Sequence, residues 1–187
     1  PYFKSGVLKA LSKHGGGVDG NFTIDQWQAI SVMSWKTEQT QKDMESILDS
    51  SYAHDEKLDA VLTPNDDLAH GVINAIETKR PDMKPGTENW PVITGQDANE
   101  IAVSNIAKDL QSMTVFKDVA KLADAVYEMI VQIAEGKEVK TNGTMNNGVR
   151  DVNSDLLDPV VLTKDNLDEV VKAGFISQER FDELTKN

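Results

Sequence analysis

The middle of the chain alternates short apolar runs with longer segments in which apolar residues recur every three or four positions. The runs at 58–63, 91–94 and 112–116 predict β-strands, and the segments that follow them predict helices over 67–78, up to about 108, and up to about 135. The runs lack the polar alternation of a half-exposed strand, which is typical of parallel strands covered on both faces. Strand, helix and strand at this spacing predict right-handed βαβ crossovers and an α/β fold with helices layered on a parallel sheet.

Weaker signals flank this alternating region. The pattern predicts a strand at 21–24, a helix at 38–48, a strand at 152–157 and a short helix at 165–172. Gly174 stands where a glycine commonly ends such a helix, so we interpret the tail as folded. The first residues have the apolar spacing of an amphipathic helix that is already under way, and we expect the chain to be a piece of a longer protein.

The predicted helix after residue 117 carries a continuous apolar stripe. It comprises Val119, Leu122, Val126, Met129, Ile130 and Ile133. A stripe of this width must pack on something. Taken alone, the pattern favours packing on the domain's own sheet.

Length and charge limit the function. A chain of 187 residues fits one domain, or one lobe with part of another. Its 31 acidic against 19 basic residues give a net charge of −12, which opposes nonspecific binding to nucleic acid or to an anionic membrane. With 0 cysteines, the sequence excludes disulfides, thiol nucleophiles and cysteine-ligated zinc.

Three familiar site patterns fail on their context. The glycines within 15–20 match a dinucleotide-binding loop, but they follow a predicted helix and precede a strand, the reverse of what that loop needs. A metal cluster is not expected from three scattered histidines, His14, His54 and His70. Asp66 and Asp67 are adjacent at a helix start, where Asp usually caps free amides rather than serving as acid and base. We therefore expect no catalytic residue, cofactor or metal.

A better set of polar residues follows the predicted strands. Asn65, Asp97 and Lys117 each come after one of them, and in open α/β sheets ligands bind outside the carboxyl ends of the strands. An amide, a carboxylate and an ammonium suit neighbouring sugar hydroxyls, which both donate and accept. Trp27 and Trp35 lie near the loop after the strand predicted at 21–24, where an aromatic ring can stack on a pyranose.

A purely structural interpretation of the same residues stays open. Asp97 then caps its helix, with Glu100 as the partner in a capping box. Lys117 is a solvated surface lysine, and Trp27 and Trp35 belong to the core.

Several stretches of the chain match one known family. They are DAVLTPND at 59–66, GQDA at 95–98, TVFK at 114–117, EGK at 135–137 and NNG at 146–148, with the end from Leu156 to Phe175. Through them, most of the chain resembles the carboxyl-terminal part of the bacterial sugar-binding proteins of ABC transporters. The resemblance is to the branch that binds xylose and multiple monosaccharides.

The resemblance implies a fold, a site and a division of the chain. The fold is a three-layer α/β/α parallel sheet, the carboxyl-terminal lobe of a type I periplasmic binding protein. Asn65, Asp97 and Lys117 become sugar hydroxyl ligands and Trp35 the stacking ring. Residues 1–116 form the sugar-binding lobe, 117–148 a hinge crossing plus a helix of the other lobe, and 149–187 a return to the first lobe. The apolar stripe then faces the missing lobe, not this domain's sheet.

The resemblance also implies function and partners. We expect reversible monosaccharide binding outside the cytoplasm, in a periplasm or at a lipid anchor, with delivery to a membrane permease or a chemosensory receptor. We expect no nucleic-acid partner, and a dimer or a rearranged packing where the stripe is left bare. Two alternatives remain: the effector domain of a sugar-responsive repressor, and an α/β enzyme that uses Asp66 or Asp97 with Lys117.

Overall fold

The computed structural model describes residues 28–53 and 56–186, together with 7, 9 and 10, which are helical. The glycine loop at 15–20, the strand expected at 21–24, His14, His54 and Trp27 lie outside the described residues. The helices are α1 (Thr37–Ser51), α2 (Asp66–Lys79), α3 (Glu100–Ala107), α4 (Val119–Ala134), α5 (Glu169–Lys172) and α6 (Gln178–Thr185). The strands are β1 (Ala60–Val61), β2 (Val92–Ile93), β3 (Thr114–Phe116), β4 (Gly143–Asn146), β5 (Asp151–Ser154) and β6 (Val160–Leu162). Two short 3₁₀ turns cover Met33–Trp35 and Lys164–Asn166.

The three predicted strand–helix pairs are confirmed, with strands shorter than the apolar runs. β1 and β2 pair in parallel, and Ala60 lies opposite Val92. The chain beyond β2 continues the parallel ladder towards β3, because Val115 N–H donates to Gly95 O at 3.2 Å and Asp97 N–H donates to Val115 O at 2.9 Å. The other side of β3 pairs antiparallel with β6, a strand that the sequence pattern did not predict.

Two apolar cores hold the helices against the strands. The first joins α1 and α2 to β2 and includes Met44, Leu48, Ile73, Ile76 and Ile93. The second joins α3 and α5 to β3 and β6 and includes Val103, Ile106, Phe116, Leu162 and Val170. Helices packed on parallel strands in this order confirm the α/β class.

The tail differs in detail from the prediction. The helix expected at 165–172 is divided into the 3₁₀ turn and α5, and the strand expected at 152–157 is the shorter β5. Gly174 does end α5, with a φ of +68° and its N–H donating to Val171 O. A further helix, α6, follows and is tied to α3 by the ion pair between Arg180 and Glu100 at 2.6 Å.

The segment from Lys117 to Val161 stands apart because none of its residues is buried. It contains α4 and the antiparallel β4–β5 hairpin. We call the apolar face of α4 the bare stripe: Val119, Leu122, Val126, Tyr127, Ile130 and Ile133, which are all exposed by about half or more. The simple expectation that this helix packs on its own domain's sheet is wrong. Among the described residues, no helix has the length and apolarity needed to cross a membrane.

A buried carboxylate joins three segments at the carboxyl ends of the strands. Asp66, fully buried in the first turn of α2, accepts from Gln111 Nε2 at 2.9 Å, from Thr114 Oγ1 at 3.0 Å and from Asn99 N–H at 3.1 Å. Burial raises the pKa of Asp66. The three hydrogen-bond donors act in the opposite direction, and the nearby charge of Asp97 raises this pKa further. The backbone of the loop after β2 passes so close to this carboxylate that a Cβ on Gly95 would overlap Asp66 Oδ1 and Gln111 Nε2.

We expect Gly95→Ala to lower the free energy of unfolding by at least about 2 kcal/mol, because the overlapped groups are buried and hydrogen-bonded and have no room to move. Urea denaturation measures the change. Gly143→Ala is the control: its Cβ would meet only the flexible end of Leu156 at 3.2 Å, so a loss below about 0.5 kcal/mol is expected. Equal losses in the two variants would show that the close approach at Gly95 has no energetic importance.

Candidate functional site

The three polar residues singled out by their positions lie at one edge of the strands, where β1, β2 and β3 end. We call Asn65, Asp97 and Lys117 the carboxyl-edge set. Lys117 Nζ lies 3.0 Å from Asp97 Oδ1. Asn65 is drawn to the same place because the next residue, Asp66, donates its backbone N–H to the carbonyl of Gln96 at 3.0 Å. The structure therefore brings together residues separated by about 50 positions in the chain.

The loop that carries Asp97 is fixed at three successive backbone N–H groups. Asp97 N–H donates to Val115 O at 2.9 Å, Ala98 N–H to Thr114 Oγ1 at 3.2 Å, and Asn99 N–H to Asp66 Oδ2 at 3.1 Å. Within this frame Asp97 has a φ of +103° and Ala98 a φ of +54°. Such conformations cost about 1–3 kcal/mol each and persist where surrounding contacts impose them, most often at functional sites.

The side chains of the carboxyl-edge set are available to a ligand to different degrees. Asp97 and Lys117 are half exposed, at 48% and 52%, and their charges offset each other. Asn65 is partly buried, and its Oδ1 accepts from Leu68 N–H at 3.1 Å as the N-cap of α2. No described residue accepts from its Nδ2, which leaves two donors for a ligand. The set thus offers a carboxylate acceptor, ammonium donors and amide donors within a short distance.

Trp35 belongs to the same end of the molecule. It ends the 3₁₀ turn just before α1, and the hydroxyl of Thr37 donates to the carbonyl of Asp67, in the first turn of α2, at 3.1 Å. The side chain of Trp35 is 55% exposed and its φ is +52°. The interpretation of Trp35 as a core residue is therefore wrong, and its ring is open to stacking.

The purely structural interpretation also fails for Asp97, but not for Lys117. The N-cap of α3 is Asn99, whose Oδ1 accepts from Ala102 N–H at 3.0 Å, so Asp97 is not the cap and Glu100 is not its capping-box partner. Lys117 is a largely solvated lysine, as that interpretation expected, and it is also paired with Asp97. Asp66 does not cap its own helix either; Asn65 does.

The sequence interpretation missed the residues that hold this edge together. Asn99 is an Asn immediately before a helical run, which is a recognisable cap signal. Asp118 caps α4 in the same way, accepting from Ala120 N–H at 3.0 Å. The role of Asp66 had no local signal, because its partners Gln111 and Thr114 lie more than 40 positions away.

A second carboxylate–ammonium pair lies at the opposite edge, on the approach to β3. Lys164 Nζ and Asp109 Oδ2 are 2.6 Å apart, with side chains 54% and 46% exposed. Asp109 also has a positive φ, +60°. The two pairs are alike in charge, exposure and backbone, but only the Asp97 pair stands at the strand ends.

The chain matches the family model described as periplasmic binding protein domain over residues 2–138. It belongs to that family. The expected family and the α/β fold are therefore confirmed.

Relatives of this periplasmic binding protein chain are sugar-binding proteins. It is 36% identical over 174 residues to the D-xylose-binding periplasmic protein of Escherichia coli, covering 92% of this chain and 49% of the relative. It is 34% identical over 176 residues to the multiple sugar-binding periplasmic receptor ChvE of Rhizobium radiobacter, covering 93% and 46%. An ABC transporter solute-binding protein from Clostridium phytofermentans, solved with bound β-D-glucose, superposes with a TM-score of 0.80 at 32% identity, covering 96% of this chain and 55% of that one.

The chain spans about half the length of these relatives. That fraction agrees with the expectation that the sequence corresponds to the carboxyl-terminal part of such a protein. The assignment of the carboxyl-edge set and Trp35 to sugar binding stays a prediction.

The strained backbone at Asp97 gives a stability test. We expect Asp97→Gly to leave the free energy of unfolding unchanged or to raise it by up to about 1 kcal/mol, because relief of the positive φ offsets the lost ion pair. Asp97→Val removes the same ion pair but places a β-branched residue at this φ, and should lower stability by more than about 1 kcal/mol. Urea denaturation of the two variants checks this. A clear loss in Asp97→Gly would mean that the carboxylate is needed for folding.

Proposed function

We propose that this chain supplies one side of the binding site in the substrate-binding component of a sugar ABC transporter. The observation that carries the proposal is the convergence of the carboxyl-edge set, with a strained and half-exposed Asp97 at its centre. The set lies in a family whose relatives bind xylose, glucose or several sugars.

The chemistry of the set supports a neutral polyhydroxylated ligand. Asp97 and Lys117 cancel in charge, so the edge has no excess of either sign to attract an acid or a base. The Asp97 carboxylate accepts from two neighbouring hydroxyls, while Lys117 and the Asn65 amide donate to hydroxyl oxygens. The exposed ring of Trp35 covers an apolar face of the pyranose. Pentoses and hexoses in ring form fit this combination.

The burial pattern supports a division of the chain into two parts. We propose that residues 1–116 belong to the lobe described above and that the segment after Phe116 crosses a hinge into a second lobe, which the bare stripe and the hairpin help to build. The expected second boundary, residue 148, falls in the turn between β4 and β5. We therefore move the return to the first lobe to β6, whose Val160 lies opposite Phe116. The outgoing and returning strands then cross side by side.

The mechanism is capture by closure. A sugar bound to the carboxyl edge is covered when the second lobe rotates over it, which excludes water and adds hydrogen bonds from the far side. No bond is made or broken. The closed form is the one delivered to a membrane permease or a chemosensory receptor, and this takes place outside the cytoplasm, in a periplasm or at a lipid anchor.

The alternatives have less support. The relatives described above are named as periplasmic sugar-binding proteins or as an ABC transporter solute-binding protein, and none is named as a transcription repressor. An enzyme that uses Asp66 is opposed by the complete burial of that side chain. An enzyme that uses Asp97 with Lys117 has no support from the relatives, whose names are those of binding proteins.

The first functional prediction concerns Asp97. In the full-length parent protein, Asp97→Ala should weaken binding of its sugar by roughly tenfold or more, because charge-assisted hydrogen bonds contribute about 1.5–3 kcal/mol. Isothermal titration calorimetry with xylose, glucose, galactose and arabinose identifies the ligand and measures the loss.

Asp109→Ala is the matched control, because it removes a similar ion pair from the opposite edge. The Asp109→Ala variant should bind sugar with the same affinity as the unmodified protein. If no pentose or hexose gives heat, the proposed function is wrong. If both variants bind like the unmodified protein, the carboxyl edge is not the site.

The second functional prediction concerns the chain by itself. The 187-residue chain should bind sugar too weakly for calorimetric detection at micromolar concentration, because half of the enclosing groups are missing. The bare stripe should also drive self-association above the monomer mass of 20.6 kDa, measured by light scattering.

Charged substitutions on the stripe, Val126→Lys with Ile130→Glu, should restore the monomer. Submicromolar affinity in the chain alone would contradict the need for a second lobe. A monomer without these substitutions would show that the stripe does not drive association.

A further inference from the structure

The Asp66 carboxylate is placed where it organises the candidate ligands without touching one. Its side chain is fully buried, so it has no access to a sugar. It is nevertheless next to two of the candidate ligands. Its chain neighbour is Asn65, and its backbone N–H donates to the carbonyl of Gln96, the chain neighbour of Asp97. One residue thus links two of the three members of the carboxyl-edge set.

The side-chain bonds of Asp66 complete this link. Oδ2 accepts from Asn99 N–H, two residues beyond Asp97, and from the hydroxyl of Thr114, which begins β3. The same hydroxyl accepts from Ala98 N–H at 3.2 Å. Oδ1 accepts from Gln111 Nε2, which also donates to Met113 O at 3.1 Å. The carboxylate therefore bridges the start of α2, the loop before α3 and the start of β3.

Burying a carboxylate is costly unless donors satisfy it, and three donors satisfy this one. An apolar residue of similar volume would fill the core but would leave those donors unpaired and the segments without a common anchor. All of the bonds lie at the edge that carries the ligands. If Asp66 only supported the apolar cores, its hydrogen bonds would not be expected to lie at this edge.

We propose that Asp66 is a positioning residue, which holds Asn65 and Asp97 in their binding geometry before the sugar arrives. This inference rests on the proposed sugar-binding function. Because the ligands are ordered beforehand, binding does not have to order them, and the affinity gains what that ordering would cost.

The test is Asp66→Asn in the full-length parent protein, measured by calorimetry with the sugar that the unmodified protein binds. The amide keeps the volume but presents N–H to at least one of the three donors, which loosens the frame. The dissociation constant should rise by about tenfold or more, with the loss in the binding entropy, because the loop must then be ordered by the ligand.

A control separates positioning from general destabilisation. Ile73→Val and Ile73→Ala truncate the first core about two helical turns along α2 from Asn65, and one of them can be chosen to match the thermal midpoint of Asp66→Asn. The matched core variant should bind sugar with the unmodified affinity at a temperature well below its midpoint. Equal weakening in both would reduce the effect to stability and overturn the proposal.

A second pair of variants covers the case in which Asp66→Asn does not fold. Thr114→Val removes the hydroxyl that joins Asp66 to Ala98 while keeping the side-chain shape, and should weaken binding in the same way. Thr114→Ser keeps the hydroxyl and should restore the affinity. If the Val and Ser variants bind alike, the proposal fails.

Failure of the inference and failure of the proposed function give different results. An unmodified parent protein that binds no sugar overturns both. A parent that binds, with Asp66→Asn or Thr114→Val binding equally well, overturns only the positioning role.

Discussion

The carboxyl edge of the structure depends on one buried carboxylate. Asp66 has left water completely, and its three hydrogen bonds fix the relative places of α2, the loop before α3 and β3. The close passage of the backbone at Gly95 follows from it, because only a residue without a side chain fits against that carboxylate. The parallel order of the strands and their backbone hydrogen bonds bring the segments to one edge, and the carboxylate adds three side-chain hydrogen bonds that join them there.

The contrast between Asp66 and Asp97 shows how one residue type takes two roles in one small region. Asp66 is buried and satisfied by donors of the protein, so its pKa is raised by desolvation and its chemistry is directed inwards. Asp97 is half exposed and paired with a lysine that is equally exposed, an arrangement worth at most about 1 kcal/mol to stability. The Asp109–Lys164 pair has similar exposure and also a positive φ, so it is the position of the Asp97 pair at the carboxyl ends of the strands that suits it to a ligand.

The sequence pattern was sufficient for the elements that obey local rules. Each apolar run followed by a helical period became a strand and a helix, and Gly174 ended α5 as expected. It failed where the outcome depended on distant partners. β6 is recognisable only through its pairing with β3. The apolar pattern of α4 predicts a packed face but does not say what packs on it, so it could not predict that the bare stripe is exposed here. The carboxyl-edge set was found from the position of polar residues after strands, whereas the anchoring role of Asp66 required coordinates, since Gln111 and Thr114 are remote in sequence.

The positive φ of Asp97 has a consequence for attempts to change which sugar is recognised. Gly, Asn and Asp adopt a backbone of this kind at the least cost, so about three residue types fit that position without added strain. Only one of them retains a full negative charge, and none offers a bulky or basic group. Retuning of selectivity should therefore concentrate on the neighbouring Asn65, Lys117 and Trp35, because most other residue types at position 97 would cost about 1–3 kcal/mol of stability.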